Sequence, residues 1–208
     1  DVFGTDTASN FANAIVQMLT EGNDTKTTTS SSEIIATFDG TDTVYAGAGN
    51  DKIIGGKDVD TFYGQSGNDH LYGFSGDDIL QGGDGDDKLY GGLGNDTLGG
   101  GGGSDAIYAG AGNDTITTGA GSDTVTASLG DDSITVDGSG NKTIDGGTGT
   151  DTVSINYAGI TGLGSFAVSM ASNSVLSLVN SSSETITLAN IINTSAGEGS
   201  GISVNSKP

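Results

Sequence analysis

The amino-acid sequence predicts an all-β fold, a parallel solenoid of short strands. Three observations carry that expectation. The 208-residue chain repeats with a nine-residue period from Thr37 to Ser154, as thirteen nonapeptides with one extra residue, Val136. The eighth column of the repeat is apolar throughout, from Val44 and Ile53 to Ile144 and Val153. The fourth column is Gly in twelve of the thirteen repeats, Asp58 being the exception. A disordered Gly/Asp tract would not hold an apolar residue in phase over such a length.

In chain order, residues 1–36 differ from the repeats. Phe11, Ala14, Ile15, Met18 and Leu19 fall at helical spacing, with Ser9 as N-cap and Gly22 as stop. That spacing predicts a short helix capping the open first coil. Residues 26–33 read as a Ser/Thr-rich linker. Residues 37–154 form the solenoid. In each repeat the first residues turn tightly, which Gly permits, and the last three form a strand whose central residue points inward. Two nonapeptides complete one coil, so repeats two apart stack in one sheet and the eighth column is the core. In residues 155–208, segments 165–171, 174–180 and 184–192 read as strands of a β-rich C-terminal cap, followed by a Ser/Gly-rich tail.

The sixth column carries the charge. It is Asp in twelve repeats: Asp42, Asp51, Asp60, Asp69, Asp78, Asp87, Asp96, Asp105, Asp114, Asp123, Asp132 and Asp151. Lys142 takes the remaining place. Asp and Glu total 27 against 6 basic residues, for a net charge of −21. One inward aliphatic side chain per nine ordered residues is a thin core, and regularly spaced carboxylates repel one another. The array therefore needs a stabiliser other than its core. With no Cys in the chain, that stabiliser is neither a disulfide nor a thiolate metal site. The acidity argues against nucleic acid as a partner. No apolar run reaches the ~18 residues of a membrane span. The chain begins at Asp1 without an initiator Met, and is expected to have been processed or to derive from something longer.

The pattern resembles the GGxGxDxUx nonapeptide of the RTX (repeats-in-toxin) family. The resemblance implies a calcium-bound parallel β-roll, in which turns two repeats apart hold one Ca²⁺ between sixth-column carboxylates and backbone carbonyls. On one edge it implies the pairs Asp42–Asp60, Asp60–Asp78, Asp78–Asp96, Asp96–Asp114, Asp114–Asp132 and Asp132–Asp151. On the other it implies Asp51–Asp69, Asp69–Asp87, Asp87–Asp105 and Asp105–Asp123, hence about ten ions in all. Asp123 would next face Lys142, whose ammonium cannot ligate a cation. That site is expected to be empty or replaced by an Asp123–Lys142 ion pair. Asp58 and Val136 are departures from the pattern. The resemblance further implies type I secretion, folding on external calcium, and a secreted, extracellular or cell-surface location.

Catalysis is not expected. His70 is the sole His and sits at an outward position, and the calcium column accounts for the many acidic pairs. The outward columns of the even repeats align Lys52, His70 and Lys88 beside Ile54, Tyr72, Tyr90 and Tyr108. This reads as a contact face, for another copy of the chain or for a polysaccharide. Thr residues dominate the outward columns of the odd repeats, as strand propensity favours. The expected role is a calcium-binding structural protein that assembles with itself into a filament, surface layer or matrix. The alternatives are a C-terminal folding and secretion module of a larger type I-secreted hydrolase or toxin, and a carbohydrate-binding or adhesive module.

Overall fold

The computed structural model describes residues 15–156 and the strand segments 176–179, 185–189 and 202–204. The strands, β1–β19 in chain order, form two sheets. The first sheet orders β1 (Ile15–Met18), β3 (Glu33–Ala36), β5 (Lys52–Ile54), β7 (His70–Ser75), β9 (Lys88–Leu93), β11 (Ala106–Ala111), β13 (Asp123–Leu129), β15 (Lys142–Asp145), β18 (Thr185–Ala189) and β17 (Leu176–Val179). The second orders β2 (Thr25–Thr27), β4 (Thr43–Tyr45), β6 (Thr61–Ser66), β8 (Ile79–Asp84), β10 (Thr97–Gly102), β12 (Thr115–Ala120), β14 (Ser133–Asp137), β16 (Thr152–Asn156) and β19 (Ile202–Val204). Alternate strands fall in alternate sheets, so β1–β16 wind about eight coils of a parallel β-solenoid. Among the described residues there is no helix, and so none long and apolar enough to cross a membrane.

The register follows the period. Val44 pairs with Phe62, Phe62 with Leu80, and Leu80 with Leu98, each 18 residues on. These eighth-column side chains are fully buried and form one continuous core. The middle strands are longer than the three residues expected. The parallel ladder continues through the first residues of the next repeat, as in Gly83–Gly101–Gly119. Residues in the second column bend the chain there with positive φ, 114° at Gly83 and 109° at Gly101. Gln65, Phe74 and Ser128 adopt the same conformation without being Gly, at φ 77°, 76° and 86°.

The N-terminal helix is not found where the structure describes the segment. Ile15–Met18 is strand β1, paired in parallel with β3 through Ile15–Glu33 to Met18–Ala36. The open edge of β3 offers unpaired backbone groups, and β-branched Ile15 and Val16 suit a strand. That edge outweighs a helical spacing that has no partner helix to bury it. Ser9, Phe11 and Ala14 lie outside the described residues. The segment read as a linker carries the end of β2 and the start of β3, so both sheets run through the boundary placed before Thr37. At the other end β18 adds to β15 in parallel, β17 adds to β18 antiparallel, and β19 adds to β16 in parallel. The expected strand 165–171 lies outside the described residues.

Val136 does not break the stack. It turns inward, fully buried, and pairs with Ile155 in β16. Its addition lengthens the following turn by one residue, and the spacing between stacked residues becomes 19 there.

Candidate metal centres

Each sixth-column Asp ends a Gly-rich turn just as a strand begins, and all twelve are buried. One bond recurs along both edges. The backbone N–H of one Asp donates to Oδ1 of the Asp one coil later: Asp42 to Asp60 at 2.9 Å, Asp60 to Asp78 at 2.8 Å, Asp51 to Asp69 at 2.7 Å. The bond Asp132 to Asp151 is kept at 3.0 Å across the Val136 insertion. The structure thus brings together every pair of aspartates that the resemblance implies.

The second carboxylate oxygen is different. Oδ2 is buried without a hydrogen-bond partner in ten of the twelve, among them Asp69, Asp78, Asp87 and Asp96. At Gly64 the reason for a small residue is visible. A methyl group there would lie 2.3 Å from Asp69 Oδ2 and 2.6 Å from the Gly82 carbonyl oxygen. Carboxylate and carbonyl oxygens therefore converge on one space. Of the other two aspartates, Asp60 accepts a bond from Gly56 N–H at 3.3 Å, within the turn that carries Asp58 in place of Gly. Asp123 meets Lys142.

Burial without counter-charge dominates the electrostatics. Desolvation pushes the carboxyls of Asp51, Asp60, Asp87 and Asp96 up to about 7, the backbone N–H bonds lowering them only in part. Asp78, Asp105, Asp114 and Asp151 are pushed up to about 6 for the same reason, with neighbouring carboxylates adding to the rise. A row of buried carboxylates in this state calls for cations.

One turn carries its own. Lys142 is buried, and its Nζ donates to Gly119 O at 2.6 Å, Gly121 O at 2.9 Å and Asp123 Oδ2. Of the two outcomes expected at this turn, an empty site or an Asp123–Lys142 ion pair, the ion pair is present, with both side chains fully buried. The ammonium also marks where a cation rests in this fold, against the carbonyls of the second and fourth columns and the carboxylate of the sixth. Among the described residues no three His, Cys, Asp or Glu side chains converge. The sites instead combine few carboxylates with backbone carbonyls. An all-oxygen set of this kind fits Ca²⁺, which takes six to eight oxygens and tolerates irregular geometry.

Two features escape the sequence reading. The period extends one coil further toward the N-terminus, where Asp24 and Glu33 occupy the sixth column and donate their N–H groups to Asp42 Oδ1 and Asp51 Oδ1, both at 2.7 Å. The fifth column forms a second ladder. Asn68 N–H donates to Asn50 Oδ1, Asp86 N–H to Asn68 Oδ1 and Asn113 N–H to Asn95 Oδ1, at 2.8–2.9 Å. Its signal was the recurrence of Asn, Asp, Ser and Thr just before the Asp column.

On the first sheet, Tyr72, Tyr90 and Tyr108 stack face to face, with centroids 4.7 and 4.9 Å apart and planes 1° and 7° from parallel. Lys52 Nζ lies 5.1 Å from the Tyr72 ring centroid. Lys52, His70 and Lys88 are aligned by pairing, as are Ile54, Tyr72 and Tyr90. Burial, then the charges of Lys88 and Lys52, hold His70 below its ordinary range.

The sequence profile of the RTX calcium-binding nonapeptide repeat matches the chain in four copies, at residues 37–71, 72–107, 99–134 and 136–154. No curated protein matches the chain. The matched residues make up more than half of the sequence and coincide with the coils that carry the buried aspartates. The chain belongs to the family of RTX calcium-binding nonapeptide-repeat proteins.

Proposed function

We propose that this calcium-binding protein is a secreted, non-enzymatic structural protein that orders on extracellular calcium and then associates with further copies through the tyrosine face of its first sheet. The observation that carries this reading is the aromatic face itself. Phe74 is 53% exposed and Leu93 60% exposed. With Tyr72 and Tyr90 they line an open apolar hollow of about 270 Å³. Phe74 holds a positive φ in a column otherwise filled largely by Gly, a strained placement that favours a role for the ring outside the core.

Charge complementarity favours a second copy as the occupant. The face carries the ammonium groups of Lys52 and Lys88, whereas the turns carry exposed Asp77, Asp86 and Asp131. A sheet face meeting the turn edge of a neighbour is a head-to-tail contact, which propagates into a filament or layer instead of closing as a dimer. Sugar stacking is less favoured, because the tyrosine ring faces are already covered by one another.

The test is light scattering and circular dichroism at saturating calcium on the wild-type chain and on Tyr90→Ala and Lys88→Glu. The expected result is assembly by the wild type, and loss of assembly with retained β signal in both variants. A wild-type chain that stays monomeric at saturating calcium would remove this reading and favour a folding and export module of a larger protein.

A further inference from the structure

The turn that precedes the first profile-matched nonapeptide, Thr28-Thr29-Ser30-Ser31-Ser32, holds no Gly. It nevertheless stacks as a coil. β3 pairs with β5, Ile34 against Lys52 and Ile35 against Ile53, which sets Glu33 one coil before Asp51. Glu33 N–H makes the column's recurring bond, to Asp51 Oδ1 at 2.7 Å. Ser32 Oγ accepts Asn50 N–H at 2.9 Å and so takes the fifth-column role.

Glu33 is only 4% exposed, and its Oε2 has no hydrogen-bond partner. Asp51 is 2% exposed, and its Oδ2 has none either. The two ion pairs of the described residues, Lys57–Asp39 and Lys142–Asp123, involve neither. Two buried carboxylates side by side need a counter-charge.

The Lys142 turn shows where that charge would sit. Its ammonium rests on Gly119 O, Gly121 O and Asp123 Oδ2. The equivalent atoms of the Ser/Thr turn are Thr29 O, Ser31 O and the Glu33 carboxylate. The carbonyls of both turns reach toward the next coil alike. Methyl groups placed on Gly138 and Gly140 would lie 2.4 and 2.1 Å from Gly119 O and Gly121 O. Methyl groups placed on Gly47 and Gly49 would lie 2.5 Å from Thr29 O and 2.5 Å from Ser31 O.

We propose that Thr29 O, Ser31 O and the carboxylates of Glu33 and Asp51 form a further calcium site, outside the profile-matched repeats, with Glu in the place of Asp. The longer Glu side chain supplies the carboxylate, and the Ser/Thr backbone supplies the carbonyls that Gly-rich turns supply elsewhere. The site is independent of self-association and rests only on the roll binding calcium.

The experiment counts ions on the whole chain by native mass spectrometry at saturating calcium, with hydrogen exchange read in parallel. Glu33→Gln is expected to bind one ion fewer than wild type, with exchange at residues 28–36 at least tenfold faster and exchange at residues 64–126 unchanged. Asp51→Asn, which borders two gaps, is expected to lose two ions. Asp96→Asn serves as the reference within the matched repeats. An unchanged count in Glu33→Gln, or the loss of a single ion in Asp51→Asn, overturns the proposal while a reduced count in Asp96→Asn leaves the other sites standing. An unchanged count in all three overturns the proposal and the calcium column together. If Glu33→Gln does not fold, the Asp51→Asn count decides.

Discussion

Replacing Lys142 has opposite consequences at low and at saturating calcium. In the wild type its ammonium makes two bonds to carbonyls and one to Asp123, with both charged side chains fully buried. Lys142→Met leaves the Asp123 charge buried without a partner and frees Gly119 O and Gly121 O. Breaking a buried ion pair from one side typically costs about 3–5 kcal/mol. Lys142→Asp completes the column instead. It adds a second carboxylate opposite Asp123 and opens the place of the ammonium to a cation. At low calcium that variant is the less stable chain, because two buried carboxylates then face each other without a cation. At saturating calcium it recovers, and its ion count rises by one. Urea unfolding at fixed calcium, with native mass spectrometry on the same samples, reads both quantities. A Lys142→Met chain within about 0.5 kcal/mol of wild type, where ordinary surface substitutions fall, would refute the reasoning. So would a Lys142→Asp chain with an unchanged ion count.

Three other consequences can be measured directly. The carboxyls of Asp60, Asp87 and Asp96 are raised by burial to about 7, so the metal-free coils bind more protons than the unfolded chain. Their contribution to the metal-free fold is fully present below about pH 4, the ordinary Asp value, and is lost progressively as pH rises from there through about 7. In a chelator the β signal should therefore rise on acidification. Gln65 holds φ 77° where neighbouring coils use Gly. Gln65→Gly should raise stability by about 0.5–1 kcal/mol, read as a higher Tm at saturating calcium. Gly112 has φ 138°, and a methyl there would lie 2.0 Å from Gly94 O. Gly112→Ala should cost more than about 3 kcal/mol and speed hydrogen exchange in the coils on either side.

Much of the roll was legible because three columns carry its physics separately. The eighth column gives the core, the fourth gives the turn, and the sixth gives the charge. Lys142 stood out as the one cation in an anionic column, and with the stacking that the resemblance implies it left either an empty site or an ion pair with Asp123, of which the structure holds the ion pair. The coil before Thr37 was illegible for the same reason. There Glu33 replaces Asp, Thr28–Ser32 replace the glycines, and Lys26 stands in the apolar column. Backbone pairing to β4 and β5 holds those strands regardless of side-chain type. The helix reading of Ile15–Leu19 failed because a waiting sheet edge is a tertiary feature that local spacing does not encode. The fifth-column ladder was visible as a composition bias, but its meaning depends on a side-chain bond that spans 18 residues.

The central claim is that cations at the Asp column hold the roll together. It is tested most directly by circular dichroism of the wild-type chain at neutral pH as calcium is raised from a chelated start. The expected result is a disordered spectrum in the chelator and a cooperative gain of β signal with calcium. A full β signal in the chelator, unchanged by calcium, would contradict it.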